Sequence, residues 1–118
     1  MAARRTVLQV LQAALGKLIE NGWIKDENGT PSKGYCMTGA IYASTKNQDL
    51  RYGAVNRLWD ALDATNPTLA RSLLDPRSDD QWRKTESVQK FNDRSETRKR
   101  QIISLYRKAI QDGDQRVI

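Results

Sequence analysis

Residues 6–21, TVLQVLQAALGKLIEN, decide the fold class. Leu8, Leu11, Leu15 and Leu18 recur at steps of three and four, with Val7, Ala14 and Ile19 widening the stripe. That period is the apolar face of an α-helix. Thr6 followed by Gln9 has the form of a capping box, and Asn21-Gly22 is a fitting stop. Gly16 costs about 1 kcal/mol relative to alanine inside a helix, so it marks a close helix contact in this reading.

The same period returns further along. Residues 35–44 form a compact apolar segment read as a buried helix, whose small residues Cys36, Gly39, Ala40 and Ala43 let a neighbour approach. A third helix spans residues 50–64, capped by Asn47 or Asp49, with Val55, Leu58, Trp59 and Leu62 inward and Asn66-Pro67 closing it. Leu69, Leu73 and Leu74 give a short fourth helix. Residues 77–84 read as a polar connection with Trp82 as its one large apolar group, and residues 87–91 as a turn of helix. The last helix opens near Ser95 or Thr97 and runs to Gln111, with Ile102, Ile103, Tyr106, Ala109 and Ile110 inward and Gly113 as its stop. Beyond it the tail frays, leaving Val117 and Ile118 free to dock. Between the first two helices Asn28-Gly29 suits a tight turn, so a small hairpin across residues 23–35 and a plain loop both fit. The expected architecture is an all-α bundle of four to five short helices in one domain, residues 1–118.

Composition narrows the function. The chain has 118 residues, 38% apolar and 29% charged, which fits one globular core. No apolar run approaches the ~18 residues of a membrane helix, and residues 1–5 lack the pattern of a signal peptide. One cysteine excludes an internal disulfide. Together these point to a cytoplasm, of the chain's own host or of an infected cell. Histidine is absent, which removes Ser-His-Asp and Cys-His catalysis and His-ligated metals. Nothing calls for a cofactor.

Three short pieces resemble an uncharacterised family of small proteins from actinobacteria and their phages. They are Asn21-Gly22-Trp23, the Cys-x-x-Gly-Ala segment within residues 35–41, and Phe91-Asn92-Asp93 before a Thr97-capped helix. The family box is Trp-Asn-Asp, so Phe91 departs from it, as does the polar stretch 77–84. The resemblance implies a small helical fold and carries no assigned activity, cofactor or catalytic residue.

Each candidate site has a structural alternative. Cys36 without histidine reads as a small buried hydrophobe rather than a nucleophile. Asn92-Asp93 reads as local capping rather than a metal or water site. Residues 26–29 look like a fragment of a calcium loop, but Ile24 and Tyr35 stand where its end carboxylates belong. Trp59 belongs to the core, whereas Trp23 and Trp82 lie in connections open to either core or interface roles.

The net charge of +6 is concentrated in residues 81–118, which carry ten basic and five acidic groups. Arg98, Lys99 and Arg100 at a helix start oppose the helix dipole, an argument for a compensating contact. The candidate partner-binding residues are therefore Trp82, Arg83, Arg94, Arg98, Lys99 and Arg100. The expected function is a non-catalytic interaction protein, an accessory factor of phage or bacterial kind that docks on another protein. Nucleic-acid binding through the basic C-terminal helix is the alternative, a small carboxylate-based enzyme the third. Self-association is compatible with all three, and no membrane is implied.

Overall fold

Thr6 opens the first helix as expected. Its Oγ1 accepts from Gln9 N at 3.2 Å, and Gln9 Oε1 accepts from Thr6 N at 2.9 Å, so two orphan amides are satisfied reciprocally. The computed structural model describes residues 6–116. Helix α1 (Val7–Asn21) ends at Gly22, whose φ of 98° reverses the chain into the hairpin β1 (Gly29–Thr30) and β2 (Gly34–Tyr35). The two strands are antiparallel, Gly29 opposite Tyr35 and Thr30 opposite Gly34, and Trp23 forms an isolated parallel bridge to Tyr35. The hairpin, not the plain loop, is the outcome.

Helix α2 (Met37–Ser44) follows directly, then α3 (Gln48–Thr65), α4 (Pro67–Ser72), α5 (Asp80–Asp93) and α6 (Lys99–Arg116). Asn47 caps α3, and Asn66 both ends α3 and caps α4. Helix α1 packs on α2, α3 and α6, while α3 packs on α4, α5 and α6. The core between them holds Leu11, Leu18, Ile41, Leu58, Ile102 and Tyr106, all essentially inaccessible to solvent. Among the described residues no helix is long and apolar enough to cross a membrane.

Six helices among the described residues, rather than four to five, require one correction. The polar connection expected over residues 77–84 is helical from Asp80, because Asp79 caps the helix by accepting from Trp82 N at 2.9 Å. Its core face carries Thr85, Ser87 and Asn92 beside Val88 and Phe91, a mixed stripe that hydropathy does not register.

Smaller corrections follow from packing. Ile19 lies exposed, and Val10 takes the core place assigned to it. Ala43 is exposed too, so it lines no helix contact. Nothing lies within 4 Å of a methyl group added at Gly16, so that glycine marks no close approach. Gly39 does, against the backbone of Asn28. Helix α6 begins at Lys99, not at Ser95 or Thr97, and continues through Gly113 to Arg116. Leu105 joins Ile102, Tyr106 and Ala109 in the core, while Ile103 and Ile110 are half-buried at its edge. Val117 and Ile118 lie outside the described residues.

Candidate functional site

The three sequence pieces that carry the family resemblance meet in space. Asn92, on the last turn of α5, is 1% exposed and uses its whole hydrogen-bonding capacity. Its Oδ1 accepts from Trp23 Nε1 at 2.6 Å and from Met37 N at 3.0 Å. Its Nδ2 donates to Ile24 O at 3.1 Å and to Asp93 Oδ1 at 2.9 Å. The Asp93 carboxylate also accepts from Asp26 N at 2.8 Å, where Asp26 turns with a φ of 68°. Below it, Thr97 Oγ1 donates to Phe91 O at 2.6 Å, and the Lys25 ammonium reaches the Arg94 carbonyl. Both close the carbonyl end of α5, where a cation also suits the helix dipole. The local-capping account of Asn92-Asp93 is thus overturned: the pair is a tertiary clasp joining α5 to the hairpin and to α2. Trp23 is resolved by the same bond as part of the clasp.

Cys36 is 7% exposed and caps α2, its Sγ accepting from Gly39 N at 3.2 Å. Tyr106 reaches across from α6 to donate its hydroxyl to Met37 O. Burial holds that phenol well above its ordinary value of 10.0, with the nearby Cys36 adding in the same direction. The folded protein therefore keeps Tyr106 neutral where the unfolded chain ionises it. Its contribution to stability is full below pH 10.0 and is lost as pH rises from there through the higher folded value. Urea midpoints measured from pH 8 to 11 should fall more steeply for the wild type than for Tyr106→Phe; parallel profiles would remove this linkage.

Two concavities lie near these elements. A small polar cleft of about 190 Å³ has Asp26, Glu27 and Asp93 at its mouth and Cys36 within. Among the described residues no three acidic, cysteine or histidine side chains are grouped to hold a metal ion. A larger groove of about 600 Å³ runs between α4 and α6, floored by Leu62, Leu69, Phe91 and Leu105 and edged by Arg94 and Arg100.

The six residues singled out from sequence fall into two groups. Trp82 and Arg83 lie at the start of α5, roughly 18 Å along the helix axis from Arg94 at its end. Trp82 is 50% exposed, and Arg83 is paired with Asp80. Arg94 is half-buried beside the Phe91 ring and bridges Glu96 at 3.2 Å. Arg98 donates to Ser95 O at 2.8 Å, and its backbone N–H is taken by Gln101 Oε1. Lys99 and Arg100 are exposed, and their side chains make no hydrogen bond or ion pair among the described residues. Arg107 is exposed and unpaired in the same sense, and with Ile103 and Ser104 it extends the row along α6. Sequence located the cations; it did not show that, along the described part of α6, Lys108 bridges Asp112 at 3.2 Å while the Lys99, Arg100 and Arg107 side chains stay unpaired.

Fold and clasp together define a small all-helical protein with a two-stranded hairpin pinned to its fifth helix by a buried asparagine. The chain belongs to the family of unknown function DUF6197, whose model matches residues 2–112. No curated protein and no solved structure shows a significant match.

Proposed function

We propose that this chain is a non-catalytic interaction protein that docks on another protein, acting as an accessory factor in a bacterial or phage-infected cytoplasm. The observation that carries this reading is the row of unpaired cations on α6 beside an open groove with an apolar floor and a polar rim. Arginine next to apolar surface is a common composition for interface anchors. The groups that could do chemistry are otherwise occupied: Cys36, Asn92 and Tyr106 bond backbone, and Asp93 Oδ1 holds two donors. The carboxylate-enzyme reading draws the least support from this arrangement. The bacterial or phage setting rests on the motif resemblance alone.

Affinity capture from bacterial lysate, with and without nuclease, tests the reading. A protein retained after nuclease treatment and lost with Arg100→Glu supports docking; capture abolished by nuclease opposes it. Trp82 is a separate question, because it stands at the far end of α5. Trp82→Ala should cost about 1–2 kcal/mol of stability, less than a core tryptophan, since half its surface is already in water. If it anchors the partner, affinity falls at least roughly 30-fold, about 2 kcal/mol. An unchanged affinity, measured calorimetrically, would remove Trp82 from the interface.

The second reading, nucleic-acid binding, is favoured by Lys99, Arg100 and Arg107 lying free along one helix. Phosphate binding would weaken steeply with salt, and replacing Arg98, Lys99 and Arg100 by glutamine would flatten that slope.

A further inference from the structure

We infer that the groove between α4 and α6 seats an acidic, partly apolar peptide segment of the protein partner, with Arg100 as the specificity-determining residue. The inference rests on the docking reading above and assigns it a place and a ligand chemistry. Leu62, Leu69, Phe91 and Leu105 give the groove an apolar floor, and about 600 Å³ is room for several side chains. On the α4 side no cation lines it, so its positive charge comes from Arg94 and from α6.

Those two cations are not equivalent. Arg94 already holds Glu96 at 3.2 Å, which neutralises that rim. Arg100 has no partner among the described residues. Seven residues on, Arg107 lies on nearly the same helix face, about 10 Å further along the axis. A segment lying along α6 with carboxylates at that separation would meet both while its apolar side chains enter the groove. The first turn of α6 carries no acidic residue, so an incoming carboxylate there also relieves the opposition between Lys99, Arg100 and the helix dipole. The net charge of +6 favours encounter with such a partner.

A nucleic acid fits this groove less well. A phosphate backbone would meet the cations of α6 but leave the apolar floor uncovered, whereas an acidic apolar peptide answers both.

The test uses the full chain, immobilised, and a displayed library of random 16-residue peptides. Enriched peptides should be net acidic and contain large apolar residues. A synthesised winner should lose at least tenfold in affinity to Arg100→Glu and to Leu69→Lys, and little to Trp82→Ala. Arg100→Glu should meanwhile keep or raise the thermal midpoint, because an acidic residue suits the start of a helix. A folding defect cannot produce that combination. The inference is overturned by enrichment of neutral or basic peptides, by no enrichment, or by a winner that binds Arg100→Glu undiminished. It is also overturned if a 16-base-pair DNA duplex displaces the winner. The two readings fail separately. Nuclease-resistant capture that survives Arg100→Glu would leave docking in place and remove the groove, while nuclease-sensitive capture would remove docking itself.

Discussion

Replacing Asn92 by alanine should lower the thermal midpoint by roughly 10–25 °C, although the residue is polar and not part of the apolar core. The wild-type side chain answers two donors and two acceptors at once. Without it the Met37 N–H is left in a place only 1% exposed, and an unsatisfied buried donor costs about 1–3 kcal/mol. Trp23 Nε1 and the Ile24 carbonyl lose partners as well, in a half-buried setting where water recovers part of the loss. The sum is about 3–5 kcal/mol, and at this chain length each kcal/mol moves the midpoint by several degrees. Because the four partners come from the hairpin approach, the start of α2 and α5, the loss should appear in one cooperative transition. A midpoint shift under about 3 °C by circular dichroism would show the clasp to be dispensable.

Gly39→Ala and Gly16→Ala should have opposite signs, although both glycines sit inside helices. Propensity favours alanine at each by about 1 kcal/mol. At Gly16 nothing lies within 4 Å of the new methyl group, so the gain is realised and stability should rise by about that amount. At Gly39 the methyl group would stand 1.9 Å from Asn28 O and 2.6 Å from Asn28 C. Those atoms are backbone, so no rotamer change relieves the clash; the hairpin must move and stretch the Cys36 N–Asn28 O bond, already 3.3 Å. Overpacking of this kind costs about 1–3 kcal/mol and occasionally more, and the upper end applies where backbone is the obstacle. Urea denaturation of the two variants side by side decides the matter: equal signs would refute the placement of the hairpin on α2.

The contrast between these two glycines shows what could be read from sequence. Helix α1 was legible because Thr6, Gln9 and the leucine spacing are local signals, and α3 was legible because Asn47, Trp59 and Asn66-Pro67 are too. Which glycine faces a neighbour is a tertiary fact with no local mark. Helix α5 hid for a related reason. Ser87 accepts from Trp59 Nε1 at 3.2 Å and donates to Ala70 O at 3.2 Å, so a polar residue fills a core position that hydropathy assigns to solvent. Asn92 was misread in the same way, its partners Trp23 and Met37 standing 69 and 55 positions away. At the candidate interface the residue types were legible and their pairing was not. Arg94 and Arg98 look as available as Arg100 in the sequence, yet one is tied to Glu96 and the other to Ser95.

The long reach of the clasp has a consequence for the chain as it leaves the ribosome. Trp23 waits for Asn92, and the Met37 carbonyl for Tyr106, each 69 residues later. At translation rates of about 5–20 residues per second, that interval lasts roughly 3–14 s. Throughout it the nascent hairpin and α2 lack the polar partners that close them, and α1 and α2 lack the face of α6. Contacts between distant positions also slow folding, because the intervening chain must be ordered before they form. The N-terminal half should therefore be open to capture by chaperones until α5 and α6 have been made. Truncation just before residue 92 should yield a chain that captures holdases, whereas one ending after α6 should not.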